Sequence, residues 1–191
     1  MTTATLADAF ARKFNFLSGI VHRVADEAGA AEALGRIIAD VSAERVAFAG
    51  LDPSFQAMLV HSAEAAGASV MIPPYAPADL PHAVDACQIG VTEAAFTIAE
   101  TGTLVELATN DAIRLVSSLP RTHVGIVRAS TLVPTLREAA PLMRPYFEDN
   151  AGGVVLSFIS GPSRTGDIEL KLTLGVHGPE VAHAIVIEDA S

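Results

Sequence analysis

Apolar residues at helical spacing dominate the first forty positions of the chain. One set recurs at steps of three and four, which predicts a helical face extending through Val24 with Gly29 ending or interrupting the helix. Its members are Leu6, Phe10, Phe14, Leu17, Val21 and Val24. A second stripe contains Leu34, Ile37, Ile38 and Val41. We therefore expect an N-terminal helical segment over residues 1–44, packed on an α/β domain over residues 45–191.

Short apolar runs alternate with turn and helix signals in the rest of the chain. The run 46–50 has the length of a buried strand, and Asp52 with Pro53 is typical of an N-cap followed by proline at the first helical position. Gly67 should end that helix before a strand at 69–72, which predicts a right-handed parallel crossover. Further apolar runs predict strands at 87–91, 94–99, 104–107, 124–128, 154–159 and 184–187, and helices at 110–119 and 131–147.

The composition favours the α/β class. Half of the residues are hydrophobic, only 5% are aromatic and Trp is absent, so the core must consist of Ala, Val, Leu and Ile, as in strands covered by helices on both faces. The chain of 191 residues is long enough for one substantial core. Prolines and glycines break its longest uncharged stretches before they reach the length of a membrane span, so we expect no membrane insertion.

Charge and cysteine content exclude several classes of function. With 22 acidic and 12 basic side chains the net charge is −10, which disfavours binding to nucleic acid or anionic lipid. The single cysteine, Cys87, cannot form an intrachain disulfide or supply the thiolates of an iron–sulfur cluster or a structural zinc site. No metal site and no cofactor bound by this chain are expected. Charges at Asp8, Arg12 and Lys13 interrupt the region where a signal peptide is apolar, so a cytoplasmic location is expected.

Polar residues and glycines interrupt the strand pattern at residues 90–103. Thr101 and Gly102 predict a turn between two strands, which then form a hairpin. Glu100 has the chemistry of a general base or nucleophile, and the groups around Thr101 and Thr103 are suited to hold an anion. The competing interpretation is a tight turn that carries an exposed carboxylate.

A second interruption covers residues 161–179. Arg164 has the planar donor fork suited to a carboxylate or phosphate, and Ser163, Thr165 and Gly166 add hydroxyls and close backbone approach. The alternative is an internal ion pair of Arg164 with Asp167 or Glu169. His177 is either a proton carrier or part of an ordinary His-Gly-Pro strand exit. Ser163, His177 and Asp167 suggest a triad, but no nucleophile elbow accompanies them. Histidines such as His61 and His123 are interpreted as surface or satisfied core groups.

These segments resemble a known family. They are similar to the LUD domain, in particular to its LutC (YkgG) branch of lactate utilization proteins. The similar stretches are Gly-Val-Thr at 90–92, Ala-Phe-Thr-Ile-Ala-Glu-Thr-Gly-Thr at 95–103, Leu119-Pro120 with His123, Gly-Pro-Ser-Arg-Thr-Gly-Asp-Ile-Glu at 161–169 and Gly-Val-His-Gly-Pro at 175–179. The resemblance extends over residues 46–188. One departure is Glu93, where the family pattern favours glycine.

The resemblance implies a fold like that of the NagB, RpiA and CoA-transferase group, with a mostly parallel sheet flanked by helices. It also implies a role in the oxidation of L-lactate to pyruvate beside LutA-like and LutB-like partners, with iron–sulfur clusters on the partner subunits. Within that frame we interpret Glu100 and His177 as catalytic candidates. The candidates for binding a small anionic substrate are Thr92, Thr101, Gly102, Thr103, Ser163, Arg164, Thr165 and Asp167.

Two other hypotheses belong to different functional classes. One is that the chain is a stand-alone enzyme acting on a sugar phosphate or an acyl-CoA-like substrate, with Glu100 as base or nucleophile; fold analogy is its main support. The other is that it is a non-catalytic assembly or regulatory subunit, docking through the apolar helix that carries Leu6, Phe10, Phe14 and Leu17. A homo-oligomer is compatible with each of these hypotheses.

Overall fold

The computed structural model describes residues 2–78, 80–150, 153–166 and 172–188. The helices are α1 (Thr3–Phe16), α2 (Glu27–Val41), α3 (Pro53–Ala65), α4 (His82–Asp85), α5 (Asp111–Ser118) and α6 (Leu136–Asp149). The strands are β1 (Ile20–Val24), β2 (Arg45–Phe48), β3 (Ser69–Met71), β4 (Ile89–Glu93), β5 (Phe96–Ile98), β6 (Thr103–Ala108), β7 (Thr122–Arg128), β8 (Leu132–Val133), β9 (Val155–Ile159), β10 (Arg164–Gly166), β11 (Leu172–Leu174) and β12 (Val181–Ile187). Among these described residues, no helix is long and apolar enough to cross a membrane.

A six-stranded parallel sheet forms the centre of the fold, with strand order β1-β12-β7-β4-β2-β3. Successive apolar side chains of its strands point alternately to the two faces of the sheet, and both faces are covered. Val46 and Phe48 pack with helices α2 and α3, whereas Ala47 and Ala49 pack with α5. The class predicted from the composition, α/β with helices on both faces, is confirmed.

A second sheet of four strands, in the order β8-β5-β6-β9, packs against the first. Strands β5 and β6 form the hairpin predicted around Thr101 and Gly102. Leu104 of β6 lies over β7 at Gly125, where an added Cβ would come within 2.5 Å of the Leu104 side chain. This glycine therefore lets the two sheets approach closely, and the approach places β6 and β7 side chains next to each other.

The helix predicted to extend from Leu6 through Val24 is wrong beyond Phe16. Ser18 adopts a left-handed φ of 68°, and Gly19 lies so close to Phe14 that a Cβ would be 2.2 Å from its ring. The chain therefore turns, and the following residues form β1, which pairs in parallel with β12. The segment 1–44 contributes a strand to the main sheet as well as two helices. The division at residues 44 and 45 stays a prediction.

Two local expectations near helix ends also need correction. Gly29 does not end a helix but lies in the first turn of α2, where its N–H donates to the Asp26 cap at 2.8 Å. Helix α6 begins at Leu136, not at residue 131, because Thr135 and Glu138 form a capping box there. By contrast, Asp52 caps α3 as predicted, and β2 and β3 are the parallel pair that flanks it.

Candidate functional site

A cavity of about 230 Å³ lies where the two sheets meet. It is bounded by the end of α5, strand β9, the loop that follows β9, and the first residues of β7 and β12. The polar side chains that line it are Arg114, Ser117, Ser118, His123, Ser157, Ser160, Ser163 and His177. Because the described lining offers hydroxyls, imidazoles and a guanidinium but no carboxylate, it suits a small polar or anionic ligand.

A buried acid lies behind this lining. Glu106 stands in the middle of β6 with 1% of its surface exposed, and its Oε1 is 2.9 Å from the hydroxyl of Ser117. Its Oε2 has no hydrogen-bond partner among the described residues. Burial raises the pKa of Glu106 above its ordinary value, although the hydroxyls of Ser117 and Thr92 act to lower it. The carboxyl group is therefore held toward its neutral form.

His123 lines the cavity from β7 and is equally buried. Its Nε2 lies 2.9 Å from Oγ1 of Thr92 on the neighbouring strand β4, while Nδ1 has no partner in the described part of the chain. Burial, assisted by the nearby His183, lowers the pKa of His123 to about 4. At neutral pH the imidazole is thus uncharged, so one ring nitrogen carries a proton and the other does not.

Two further histidines lie beside His123 on neighbouring strands of the main sheet. His183 on β12 has its Nδ1 3.0 Å from Nε2 of His22 on β1, and the two rings stack with centroids 5.2 Å apart. Burial also lowers the pKa of both side chains, that of His183 to about 4. The three strands β1, β12 and β7 therefore carry neutral histidines at neutral pH.

Hydroxyl groups connect the two motif segments that the sequence singled out. Thr101 Oγ1 lies 2.7 Å from Thr103 Oγ1, which in turn lies 2.7 Å from Ser160 Oγ at the cavity. Gly102 between the threonines has a φ of +63°, and an added Cβ would be 2.7 Å from the backbone nitrogen of Phe14. The segment at 90–103 thus bonds to the residue that directly precedes the segment at 161–179, and helix α1 packs against the first segment.

The predicted site residues do not all lie at this cavity. Ser163 and His177 line it, Thr103 reaches it through Ser160, and Thr92 contacts His123 behind it. Their predicted roles remain predictions.

The other predicted residues lie elsewhere. Glu100 is exposed beside Arg12 and Lys13 of α1, and Arg164 donates to the Leu17 carbonyl oxygen and, at 2.8 Å, to the Ser18 hydroxyl. Thr165 pairs through its backbone with β11, and Asp167 lies outside the described residues.

The sequence interpretation missed six polar residues of the site, and His123 was assigned to the surface or the satisfied core. The missed residues are Arg114, Ser117, Ser118, Ser157 and Ser160 of the lining and Glu106 behind it. Glu106 carried a usable signal, because an acidic residue interrupts an otherwise apolar strand. Ser117, Ser160 and Arg114 carried none, since only the pairing of β6 with β9 and the packing of α5 bring them to the cavity.

Glu93, which departs from the family pattern, lies next to Thr92 on β4 and so points to the opposite face of the sheet. Its Oε1 accepts a bond of 3.0 Å from Arg128, which also pairs with Glu27 at 2.6 Å. The negative charge of Glu93 is therefore offset by a cation on the side away from the cavity.

The described residues contain no group of three or more His, Cys, Asp or Glu side chains that could hold a metal ion. Cys87 is buried, and its Sγ lies 3.5 Å from both the Met71 sulfur and the Ala83 carbonyl oxygen. A single enclosed thiol cannot ligate an iron–sulfur cluster, which requires several thiolates.

The chain is similar to a known protein family and to several named proteins. The family model described as the LUD domain matches residues 7–187. Proteins named lactate utilization protein C are 42% identical over 104 residues in Bacillus licheniformis, 41% over 108 in Anoxybacillus flavithermus and 39% over 105 in Bacillus subtilis. These matches cover 53%, 56% and 53% of this chain and 42%, 47% and 42% of the relatives. The matched part thus spans less than half the length of these relatives.

One solved structure shares the fold. It is that of a DUF162 family protein from Deinococcus radiodurans, which superposes with a TM-score of 0.65 over 98% of this chain and 99% of that one. At 23% identity this likeness concerns the fold alone.

Proposed function

Because the chain belongs to the LUD domain family, we propose that it serves in lactate utilization, as a LutC-like component of a system that oxidises L-lactate to pyruvate. The observation that carries this proposal is the identity of about 40% to proteins named lactate utilization protein C. The match includes the LUD domain over nearly the whole chain. The proposed partners are LutA-like and LutB-like proteins, and the iron–sulfur clusters would belong to those partners.

The ligand of this component, in the same proposal, is a small carboxylate bound in the cavity between the sheets. The described lining carries five serine hydroxyls and Arg114, with no acidic side chain, in a chain whose net charge is −10. The Arg114 guanidinium also pairs at 2.7 Å with Asp111, which lies outside the lining. At about 230 Å³ the cavity is smaller than the roughly 300–1,000 Å³ of sites for drug-sized ligands. Its size therefore favours a lactate-sized acid over an acyl-CoA-like molecule.

The apolar helix α1 does not support a docking role of the kind expected from its pattern. Phe10 and Phe14 are completely buried and pack with Leu104, Val127 and Val186 of the two sheets. The hypothesis that these phenylalanines form an exposed partner surface is therefore wrong. A surface for partner subunits must be sought elsewhere on the chain.

The role in lactate utilization can be tested by deleting the gene in its own organism and growing the cells on L-lactate as sole carbon source. We expect growth on L-lactate to fail while growth on pyruvate continues, and the intact gene should restore it. A tagged chain should also recover cluster-bearing proteins from the same cells. Normal growth of the deletion strain on L-lactate would overturn the proposal.

Two arginine variants separate the possible anion sites. Arg114→Ala removes a guanidinium from the cavity, whereas Arg164→Ala removes one that is bonded to the end of α1. If the cavity holds the ligand, binding of L-lactate or pyruvate by calorimetry should weaken about tenfold in Arg114→Ala, as expected for the loss of one charge-assisted bond. A loss confined to Arg164→Ala would place the anion at the 161–166 segment instead.

A further inference from the structure

Helix α1 has a second face, which lies beside the motif segment at 90–103 and differs from the face that carries the buried Phe10 and Phe14. Residues at steps of three and four along this face line a shallow pocket of about 370 Å³. They are Ala9, Arg12, Lys13 and Phe16, joined by Ala99 and Glu100 of the motif segment. We call this set of residues the outer face of α1.

Phe16 is the most exposed large hydrophobic side chain in the described structure, with 77% of its surface open to solvent. The Lys13 ammonium lies 5.3 Å from the centre of its ring, so an aromatic and a cationic group are adjacent on the outer face. Aromatic and arginine side chains are the groups that most often carry the binding energy of protein interfaces. The outer face therefore has the composition of a contact surface.

The charge of the outer face is opposite in sign to that of the chain as a whole. Arg12 and Lys13 have no carboxylate within 4 Å among the described residues, although Glu100 lies in the same pocket. Arg164 adds a cation at the end of the helix. Three cations beside one carboxylate make this region locally positive on a chain of net charge −10. Charge complementarity thus favours a partner that presents carboxylates.

Residues of both motif segments hold this end of the helix in place. A Cβ at Gly102 would lie 2.7 Å from the backbone nitrogen of Phe14. At Gly161 it would lie 2.7 Å from the carbonyl oxygen of Leu17, the atom to which Arg164 donates. Because the backbone is already fixed by these contacts, little conformational entropy is lost when another molecule covers the outer face.

The helix dipole explains only part of this arrangement. Lys13 lies in the last turn of α1, and Arg164 binds a carbonyl oxygen at its end, so both cations offset the negative end of the dipole. That role requires neither a cation at Arg12 nor an exposed ring at Phe16. These two side chains are accounted for by a contact with another molecule.

We propose that the outer face of α1 binds an acidic segment of a partner protein, with a carboxylate against Arg12 and Lys13 and an apolar side chain on the ring of Phe16. The inference rests on the proposed function only for the existence of partner subunits. A second copy of this chain and an anionic lipid surface fit less well, because a net charge of −10 repels both. Gly102, Gly161 and Arg164 are positioning residues in this assignment.

Zero-length cross-linking tests the contact directly, because a carbodiimide joins an amine to a carboxylate that touches it. The chain has two lysines, Lys13 and Lys171, so Lys171→Arg leaves Lys13 as the only side-chain amine. The tagged Lys171→Arg chain is isolated from its own cells with its partners, treated with the carbodiimide and analysed by mass spectrometry. We expect Lys13 to be joined to an aspartate or glutamate of another protein. Adding Lys13→Arg should abolish this product while retaining the charge.

Other occupants of the outer face give different products. A mixture of 15N-labelled and unlabelled chains distinguishes a bond to a second copy from a bond within one chain, such as one to Glu100. Products of Lys13 confined to this chain, or no product of Lys13, would overturn the proposal. The same holds if no other protein is recovered with the chain.

Charge reversal measures the electrostatic part of the contact. Arg12→Glu combined with Lys13→Glu should lower the recovery of partner proteins at least tenfold. The matched control is Arg137→Glu combined with Arg144→Glu, which reverses two exposed cations on α6 and should leave recovery unchanged. Equal melting temperatures of the two double variants show that the fold is intact. Equal recovery with both would refute the assignment.

Removal of the ring measures the apolar part. Phe16→Ser should also lower recovery at least tenfold, whereas Phe147→Ser, which changes another exposed ring, should not. Binding of the wild type, but not of Phe16→Ser, to phosphatidylglycerol vesicles would identify a lipid surface and overturn the proposal. Its failure is distinguishable from failure of the proposed function, because growth on L-lactate is measured separately from recovery and cross-linking.

Discussion

The burial of the Glu106 carboxyl group predicts how the free energy of unfolding changes with pH. In the unfolded chain this group ionises above its ordinary pKa of 4.5, whereas burial keeps it protonated to a higher pH in the folded chain. Above pH 4.5 the folded state therefore binds more protons than the unfolded state, and the free energy of unfolding falls as the pH rises. The loss is about 1.4 kcal/mol per pH unit and stops when the pH reaches the pKa of the folded state.

Glu106→Gln isolates this contribution, because the amide cannot ionise and all other titrating groups are shared with the wild type. We expect the two proteins to differ least near pH 4.5 and the variant to gain relative stability at each higher pH, with a plateau above the folded-state pKa. Urea unfolding at half-unit steps from pH 4.5 to 8.5 measures the difference. A difference that stays constant with pH, or that grows in favour of the wild type, would refute the assignment of a protonated Glu106.

Three further stability predictions concern the histidine row and the motif segments. Since the pKa of His183 is lowered from 6.5 to about 4, the unfolded chain gains its proton first as the pH falls, and this group alone should lower the free energy of unfolding by about 3 kcal/mol between pH 6.5 and 4. His183→Gln should remove that share of the pH dependence, as followed by urea unfolding, and should leave the share of His123, whose pKa is lowered as well. The exposed control His61→Gln should leave both shares in place. Thr103→Val removes two bonds of 2.7 Å and should lower the free energy of unfolding by about 1–3 kcal/mol, and an unchanged denaturation midpoint would count against a structural role of the hydroxyl chain. Gly102→Ala should lower the free energy of unfolding by at least about 2 kcal/mol more than Gly67→Ala does. Both glycines have a positive φ, but only a Cβ at residue 102 would come within 3 Å of backbone atoms. Equal melting temperatures of the two variants would exclude that clash.

Local sequence signals predicted the elements whose ends are marked by caps and turns. Asp52 and Pro53 located the start of α3, and Thr101 with Gly102 located the β5–β6 hairpin. The helix through Val24 failed because Val21 and Val24 continue a helical spacing by chance. The decisive event is the tight turn at Gly19 against Phe14, which is a tertiary contact and leaves no periodic signal.

The site was harder to predict than the fold because it is assembled from residues distant in sequence. The motif glycines and threonines did mark the two segments that meet at Thr103 and Ser160. The planar donor fork of Arg164 predicted an anion-binding residue, yet its guanidinium donates to Leu17 and Ser18 at the end of α1. Nothing in the sequence distinguishes Arg114 from the other arginines, because only the position of α5 and the pairing of β6 with β9 bring it to the cavity.

Three buried polar atoms without a partner in the described structure lower the stability of the folded chain. Glu106, His123 and Thr97 each leave one polar atom without a partner in the described structure, and each such atom costs about 1–3 kcal/mol. That total is a large part of the 5–15 kcal/mol by which a domain of this kind is typically stable. Apolar side chains of similar volume at these positions would avoid the cost. If a ligand in the cavity bonds to His123, which lines it, the ligand recovers part of this cost only in the bound state, and saturating ligand should raise the stability of the wild type more than that of His123→Gln.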